Sequence, residues 1–349
     1  MTTKRANWLF LTMILAHIGV VLFFNFGGTR ISIDIVMNFL LSEGILMIPT
    51  VLFLFASARK NRQKQPAEQG VEAEGSGALG TFEAAAFHRV KISTLLMIVL
   101  STFLIMPLVA VFNALSMFFA DDAMASLQIQ FSNTSFPAML LMIGIVGPFC
   151  EEFVFRGVIY RSYQKNEWGE NNDCYGNGRR GRIRAVLLSA FLFGLMHMNF
   201  NQMIYAFAMG VFLALLVEAA GSLWASVFCH MFYNSISVVS MYLSRQSLGS
   251  AYEQAVRAAA ELTKQQLLVG LSFYLIIAAV TTPIAGCIIV WIANNEGRQQ
   301  AFSALFSGRK EQGTDCLQER QGPRYLLSVP LIVAIVLCFG FMSLEFFFW

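Results

Sequence analysis

The chain has 349 residues, of which 56% are hydrophobic and 13% charged, and its formal net charge is +3. A mean hydropathy of +0.60 takes it out of the soluble globular class. A charge this small, spread over several loops, gives no footing for a nucleic-acid partner. The six cysteines (150, 174, 229, 287, 316 and 338) form no CxxC pair, so neither a disulfide framework nor a cysteine metal site is expected.

Lys4 and Arg5 precede an apolar run from Trp8 to Phe26 that is long enough to span a bilayer. It lacks an A-x-A-like cleavage site, so it reads as an uncleaved first span. A second span is expected over about Asn38 to Ala58, carrying Glu43 and Pro49. The polar segment Arg59 to Lys91 reads as a flexible loop. The third span covers Ser93 to Phe119, with a kink expected at Pro107. The fourth lies between Phe136 and Ile159, and a hydrophilic loop is expected over Arg161 to Arg184.

Further spans follow at about Ile183 to Met198, Met203 to Ala220 and Leu223 to Leu243. Ala206, Gly210 and Ala214 recur every four residues in the sixth, which permits close helix packing. An amphipathic stretch, Ser244 to Gln266, separates the seventh span from an eighth at Leu267 to Ala293. A polar loop, Asn294 to Arg324, leads to a ninth at Tyr325 to Phe348, whose aromatic end suits an interfacial anchor. The fold class read from this pattern is an all-α, polytopic transmembrane bundle of about eight to nine spans. Three regions are expected: a two-helix N-terminal region with its polar loop (1–92), a central helix bundle (93–243) and a two-helix C-terminal region (244–349).

Basic residues give the orientation. With the N-terminus cytoplasmic, the inner segments hold 19 Lys and Arg and the outer loops hold 4, while Arg156 lies within the membrane and completes the 24. That bias predicts a cytoplasmic N-terminus and an outer C-terminus; the localisation expected is an integral multi-pass protein of a bacterial cell membrane.

The fourth span carries the feature the rest must serve, Glu151-Glu152 followed by Arg156 in apolar surroundings. Charged groups at bilayer depth cost several kcal/mol, and three together imply use. Glu152 and Arg156 are four apart and share a helix face, whereas Glu151 lies about 100° round the helix and is left for another task. His197 lies in the fifth span, and His230 with Asn234, again four apart, in the seventh. In hydrocarbon these groups should turn toward one another. Burial disfavours the charged form of a carboxylate, which suits a general base near neutral pH. A water held between Glu151 and His197 can then attack a carbonyl, while His230 and Asn234 stabilise the oxyanion.

Glu-Glu-x-x-x-Arg, then Phe-x-x-x-His, then His-x-x-x-Asn, on successive spans in that order, resembles the CPBP (Abi) family of CAAX-type intramembrane endopeptidases, including its Rce1-like members. The likeness covers roughly Phe136 to Leu243. It implies that Glu151 and His197 activate water, that His230 and Asn234 form the oxyanion hole, and that Glu152 and Arg156 support them. It also implies a membrane-associated protein or peptide substrate, CAAX-type and prenylated in some relatives. Glu151, His197 and His230 could alternatively hold zinc, but no His-Glu-x-x-His is present, and a metal-free mechanism without a cofactor is favoured.

Other readings stand beside these. The Glu151, Glu152 and Arg156 group could be a structural ion-pair cluster, and the chain a non-catalytic scaffold or bacteriocin-immunity factor. A carrier using the carboxylates as a relay is disfavoured by the lack of a visible inverted repeat. Cys150 and Cys229 read as packing residues, and His17, Glu43 and Glu218 as interhelical or helix-end polar contacts.

Overall fold

The computed structural model describes residues 1–26, 34–62, 87–168, 178–306 and 326–348. Every regular element among them is helical, as the apolar runs require when no water is available to satisfy the backbone. In chain order these are α1 (Thr3–Phe26), α2 (Ile35–Arg62), α3 (Ile92–Ser116), the short α4 (Ala123–Gln130), and α5, a helical run over residues 136–168. Then come α6 (Gly178–Met196), α7 (Phe200–Ala220), α8 (Leu223–Leu248), α9 (Tyr252–Ala260), α10 (Lys264–Asn295), α11 (Gln299–Ser303) and α12 (Val329–Phe348).

Six of the described helices are long and apolar enough to cross a membrane: α1, α2, α3, α5, α7 and α10. A shorter apolar stretch, Val329–Leu344, lies in α12. The eight to nine expected spans include α6 and α8, which fall outside the six. Arg179, Arg180, Arg182 and Arg184 open α6, while His230, Asn234 and Arg245 punctuate α8.

α7 sits at the centre. Its residues Met209, Phe212, Leu213 and Leu216 are buried against α3 and α10, and Ala206, Ala214 and Val217 belong to the core shared with α1, α5 and α6. Gly210 shows why the small-residue spacing matters. A Cβ there would stand 3.0 Å from the Cα of Ala190 on α6 and 3.2 Å from Nη2 of Arg156 on α5. The glycine lets three helices meet.

Chain ends meet across the bundle. Asn7 on α1 donates through Nδ2 to the Leu326 carbonyl and to Ser328 Oγ, both at 2.8 Å, at the start of α12. The Tyr163 hydroxyl donates to Asn7 Oδ1 at 2.7 Å, and Thr3 Oγ1 donates to the Ser162 carbonyl at 3.2 Å. These bonds correct the loop expected over Arg161 to Arg184. Helix persists to Trp168 and resumes at Gly178, because Tyr163 is fully buried against α1 and holds the turn. Residues 169–177 lie outside the described residues, as do most of the polar segments 59–91 and 294–324.

The amphipathic stretch after α8 becomes α9, which packs Tyr252 and Val256 onto Ala125 of α4. Asp122 caps α4 by accepting from Met124 N and Ala125 N, as a short acidic side chain at a helix start does.

Candidate active site

α5 is not a uniform helix. Leu140–Val146 and Phe153–Tyr160 are π-helical, flanking the α-helical turn Gly147–Glu152 that carries the two glutamates. π-Helical insertions are rare and gather at functional sites. Here their carbonyls also serve neighbouring helices. Ile143 O accepts from Asn234 Nδ2 at 3.1 Å, Gly144 O from Ser235 Oγ at 3.5 Å, and Phe155 O from Ser189 Oγ at 3.4 Å. Side chains on α6 and α8 thus stitch α5 in place on both sides of the glutamates.

Glu152 and Arg156 are both fully buried and pair at 2.7 Å through Oε1 and Nη1, as their spacing predicts. Arg156 also donates from Nη2 to the Gly210 carbonyl at 3.2 Å and lies over the Phe193 ring at 4.1 Å from its centroid. A buried guanidinium is tolerable only with such partners. His230 completes the network, its Nδ1 standing 3.1 Å from the same Oε1 of Glu152.

The opposite edge of His230 faces Glu151, with Nε2 and Oε2 3.8 Å apart. That is too long for a direct hydrogen bond and a distance at which a bridging water is to be considered. Glu151 is the more open of the two acids, its side chain 22% exposed against none for Glu152. The adjacent carboxylates therefore have different surroundings, one sealed into an ion pair and one partly exposed.

His197 stands one residue past the end of α6, in the turn before α7, where Met198 adopts a φ of 53°. Its Nδ1 lies 2.9 Å from the Phe193 carbonyl. The rings of His197 and His230 both meet Phe193 edge-on, at 5.1 and 5.8 Å between centroids. One phenyl ring therefore seats both imidazoles and, on its face, Arg156. Spacing could not reveal this, because Phe193 and His197 share a face of α6 while His230 arrives from another helix.

Two of the named residues depart from the simplest expectation. His230, rather than His197, is the imidazole paired with Glu151, because α8 packs directly along the Gly147–Glu152 turn. Asn234 is tethered to Ile143, so one of its two amide hydrogens is already used. Among the described residues no three His, Cys, Asp or Glu side chains converge as ligands around an ion would, and His230 Nδ1 is engaged by Glu152.

The structure also adds a residue. Glu43, read as an ordinary interhelical contact, reaches from α2 to the glutamate turn. It stands beside Cys150, and its Oε1 would be 3.5 Å from a Cβ on Gly147. Its Oε2 is buried without a hydrogen-bond partner. A lone acid in an apolar second span was the available signal. Cys150, Cys229, Cys287 and Cys338 are free thiols, and Cys229 Sγ lies 3.2 Å from Thr102 Oγ1, in keeping with packing roles.

Comparison with known proteins bears on this same stretch. Residues 133–236, which hold Glu151 through Asn234, match the family described as type II CAAX prenyl endopeptidase, Rce1-like. The membrane-embedded CAAX protease MroQ of Staphylococcus aureus (strain USA300) is 32% identical over 120 residues, covering 34% of this chain and 45% of that protein. YdiL of Bacillus subtilis (strain 168), provisionally named a membrane peptidase, is 28% identical over 118 residues, covering 32% of this chain and 43% of that protein. The chain thus spans less than half the length of the curated relatives it matches. No solved structure matches it. Through residues 133–236, the chain is therefore similar to the Rce1-like CAAX prenyl endopeptidases and to bacterial membrane peptidases.

Proposed function

We propose that this protein is an intramembrane endopeptidase that hydrolyses a peptide bond in a membrane-associated protein or peptide, with Glu151 as general base and no metal. The observation that carries the reading is the environment of the two acids. Glu152 is neutralised by Arg156 and spent on holding His230, while Glu151 remains partly exposed with His230 Nε2 3.8 Å away.

Hydrogen bonding assigns each imidazole a role. His197 donates from Nδ1 to the Phe193 carbonyl, which leaves Nε2 as an acceptor able to hold a water. His230 donates from Nδ1 to Glu152, as a triad histidine does to its acid. When Nε2 of that ring carries a proton, the N–H is directed toward Glu151, 3.8 Å away. Glu151, assisted by His197, takes a proton from the water, whose oxygen attacks the scissile carbonyl carbon. The resulting oxyanion accepts from His230 Nε2–H and from the remaining amide hydrogen of Asn234. The proton on Glu151 then passes to the leaving amine as the C–N bond breaks.

The substrate class follows from location, since a gap reached at bilayer depth admits segments already resident in the membrane. A prenylated CAAX protein and a peptide leader are both compatible. The N-terminus is placed on the cytoplasmic side, supported by the excess of basic residues on the corresponding helix ends.

The test is comparative. Cells carrying wild type or Glu151→Gln are compared by membrane proteomics and peptide release. A membrane-associated segment should accumulate uncut with the variant, with a loss of about 10²- to 10⁴-fold in processing rate. Unchanged processing would remove Glu151 as the base, and a phenotype insensitive to Glu151, His197 and His230 substitutions would favour the non-catalytic scaffold.

A further inference from the structure

A second polar assembly lies at the other end of α5 and belongs to none of the chemistry above. Arg161 stands ten residues beyond Glu151, about 15 Å along the helix. There a cavity of about 240 Å³ is lined by His88, Arg161, Gln164, Glu218, Gly221 and Arg298. These come from the approach to α3, the end of α5, the end of α7 and the turn after α10. All are helix ends on the side of the bundle that carries the basic segments.

Glu218 is buried at 1% exposure, accepting from the Tyr160 hydroxyl at 2.7 Å and from Gln164 Nε2. Three guanidiniums, Arg161, Arg182 and Arg298, lie within its electrostatic reach. Two of these, Arg161 and Arg298, line the cavity, with His88 at its exposed rim. Arg298 directs Nε to the Glu218 carbonyl at 3.0 Å, and among the described residues neither of its terminal nitrogens meets an acceptor. Gly221 makes room for it. Gly221 has a φ of 68°, and a Cβ there would stand 2.5 Å from Arg298 Cδ. The turn holds an arginine fork at the cavity wall with two donors unspent.

We propose that this cavity is a binding site for a phosphate-bearing anion, either the headgroup of an anionic lipid or a soluble phosphate ester. Guanidinium forks match phosphate oxygens in charge and geometry, and a partly enclosed site strengthens the bonds relative to open water. The position suits a lipid headgroup, since basic clusters at the membrane boundary gather anionic lipids. The inference stands apart from the proteolytic reading and survives its failure.

The experiment uses the full chain in maltoside micelles, titrated with phosphatidylglycerol, phosphatidylcholine or inorganic phosphate. Native mass spectrometry and thermal unfolding are the readouts. Wild type should retain phosphatidylglycerol or phosphate and gain thermal stability with it. Arg161→Gln and Arg298→Gln should each weaken binding about tenfold or more, as expected for a lost charged hydrogen bond. Retention of phosphatidylglycerol without phosphate binding identifies a lipid site, and comparable phosphate binding identifies a soluble ligand. Both support the proposal. Equal retention of phosphatidylcholine, whose headgroup has no net charge, would overturn it, as would wild-type binding in both glutamine variants. Should Arg298→Gln fail to fold, Arg298→Lys and the rim variant His88→Gln decide. The lysine variant should keep most of the binding and His88→Gln should lose several-fold, and wild-type affinity in His88→Gln and Arg161→Gln would refute the site.

Discussion

Two glutamates, each buried on an apolar helix beside arginine, mark the two polar regions of this bundle. Glu152 is enclosed, its Oε1 shared by Arg156 at 2.7 Å and His230 at 3.1 Å with no exposure on either Glu152 or Arg156. Glu218 is equally buried, yet it backs onto a cavity, with neutral Tyr160 and Gln164 as its nearest donors and the arginines arranged further out. The same residue type therefore does opposite work. A closed network of charges holds His230 beside Glu151, whereas the open one borders a cavity at whose wall Arg298 keeps two donors unspent.

Breaking the closed network should have the largest effect. Arg156→Met removes the partner of a fully buried carboxylate and should cost about 3–5 kcal/mol, read as a large fall in the thermal midpoint in detergent. Replacing both residues, as Glu152→Gln with Arg156→Met, removes the unpaired charge and should recover most of that stability while processing stays lost. If the double variant were as unstable as the single one, packing of the arginine stem rather than charge would be the cause.

At the open network the same kind of change should matter less. Tyr160→Phe deletes one donor to Glu218 and leaves Gln164 in place, so a loss of about 1–3 kcal/mol is expected with processing unchanged. A loss as large as that of Arg156→Met would erase the distinction between the two regions.

The smallest effect is expected at Glu43. Glu43→Gln keeps the size of the side chain and its place beside Cys150, so stability should change by about 1 kcal/mol or less. Any change should instead appear as a shift in the pH dependence of processing, because Glu43 faces the turn that carries Glu151. An unaltered profile would assign Glu43 to packing alone.

Much of the site could be read before any coordinates. Six charged or polar groups in otherwise apolar helices had to face inward, since lipid offers them nothing, and helical periodicity already paired Glu152 with Arg156. The ordered motifs then carried the family resemblance. Other features had no linear trace. π-Helical turns on both sides of Glu151 depend on which neighbours bond the widened carbonyls, and Asn234 and Ser189 do so from other helices. Phe193 looked like one position of a motif, whereas it is the surface on which both imidazoles and Arg156 rest. The loop expected after Ile159 turned helical because Tyr163 found Asn7 some 156 residues away.

What the chain determined alone was where the long apolar helices run, which of their faces are polar, and that these must be buried together, because the cost of a charge in hydrocarbon depends on local composition. Which imidazole meets which carboxylate, where Glu43 arrives, and that one glutamate is sealed while another borders a cavity were decided only by packing. Those distances depend on how α5, α6, α7 and α8 approach one another, and that approach depends on contacts such as Gly210 against Ala190 and Arg156 that no single helix contains.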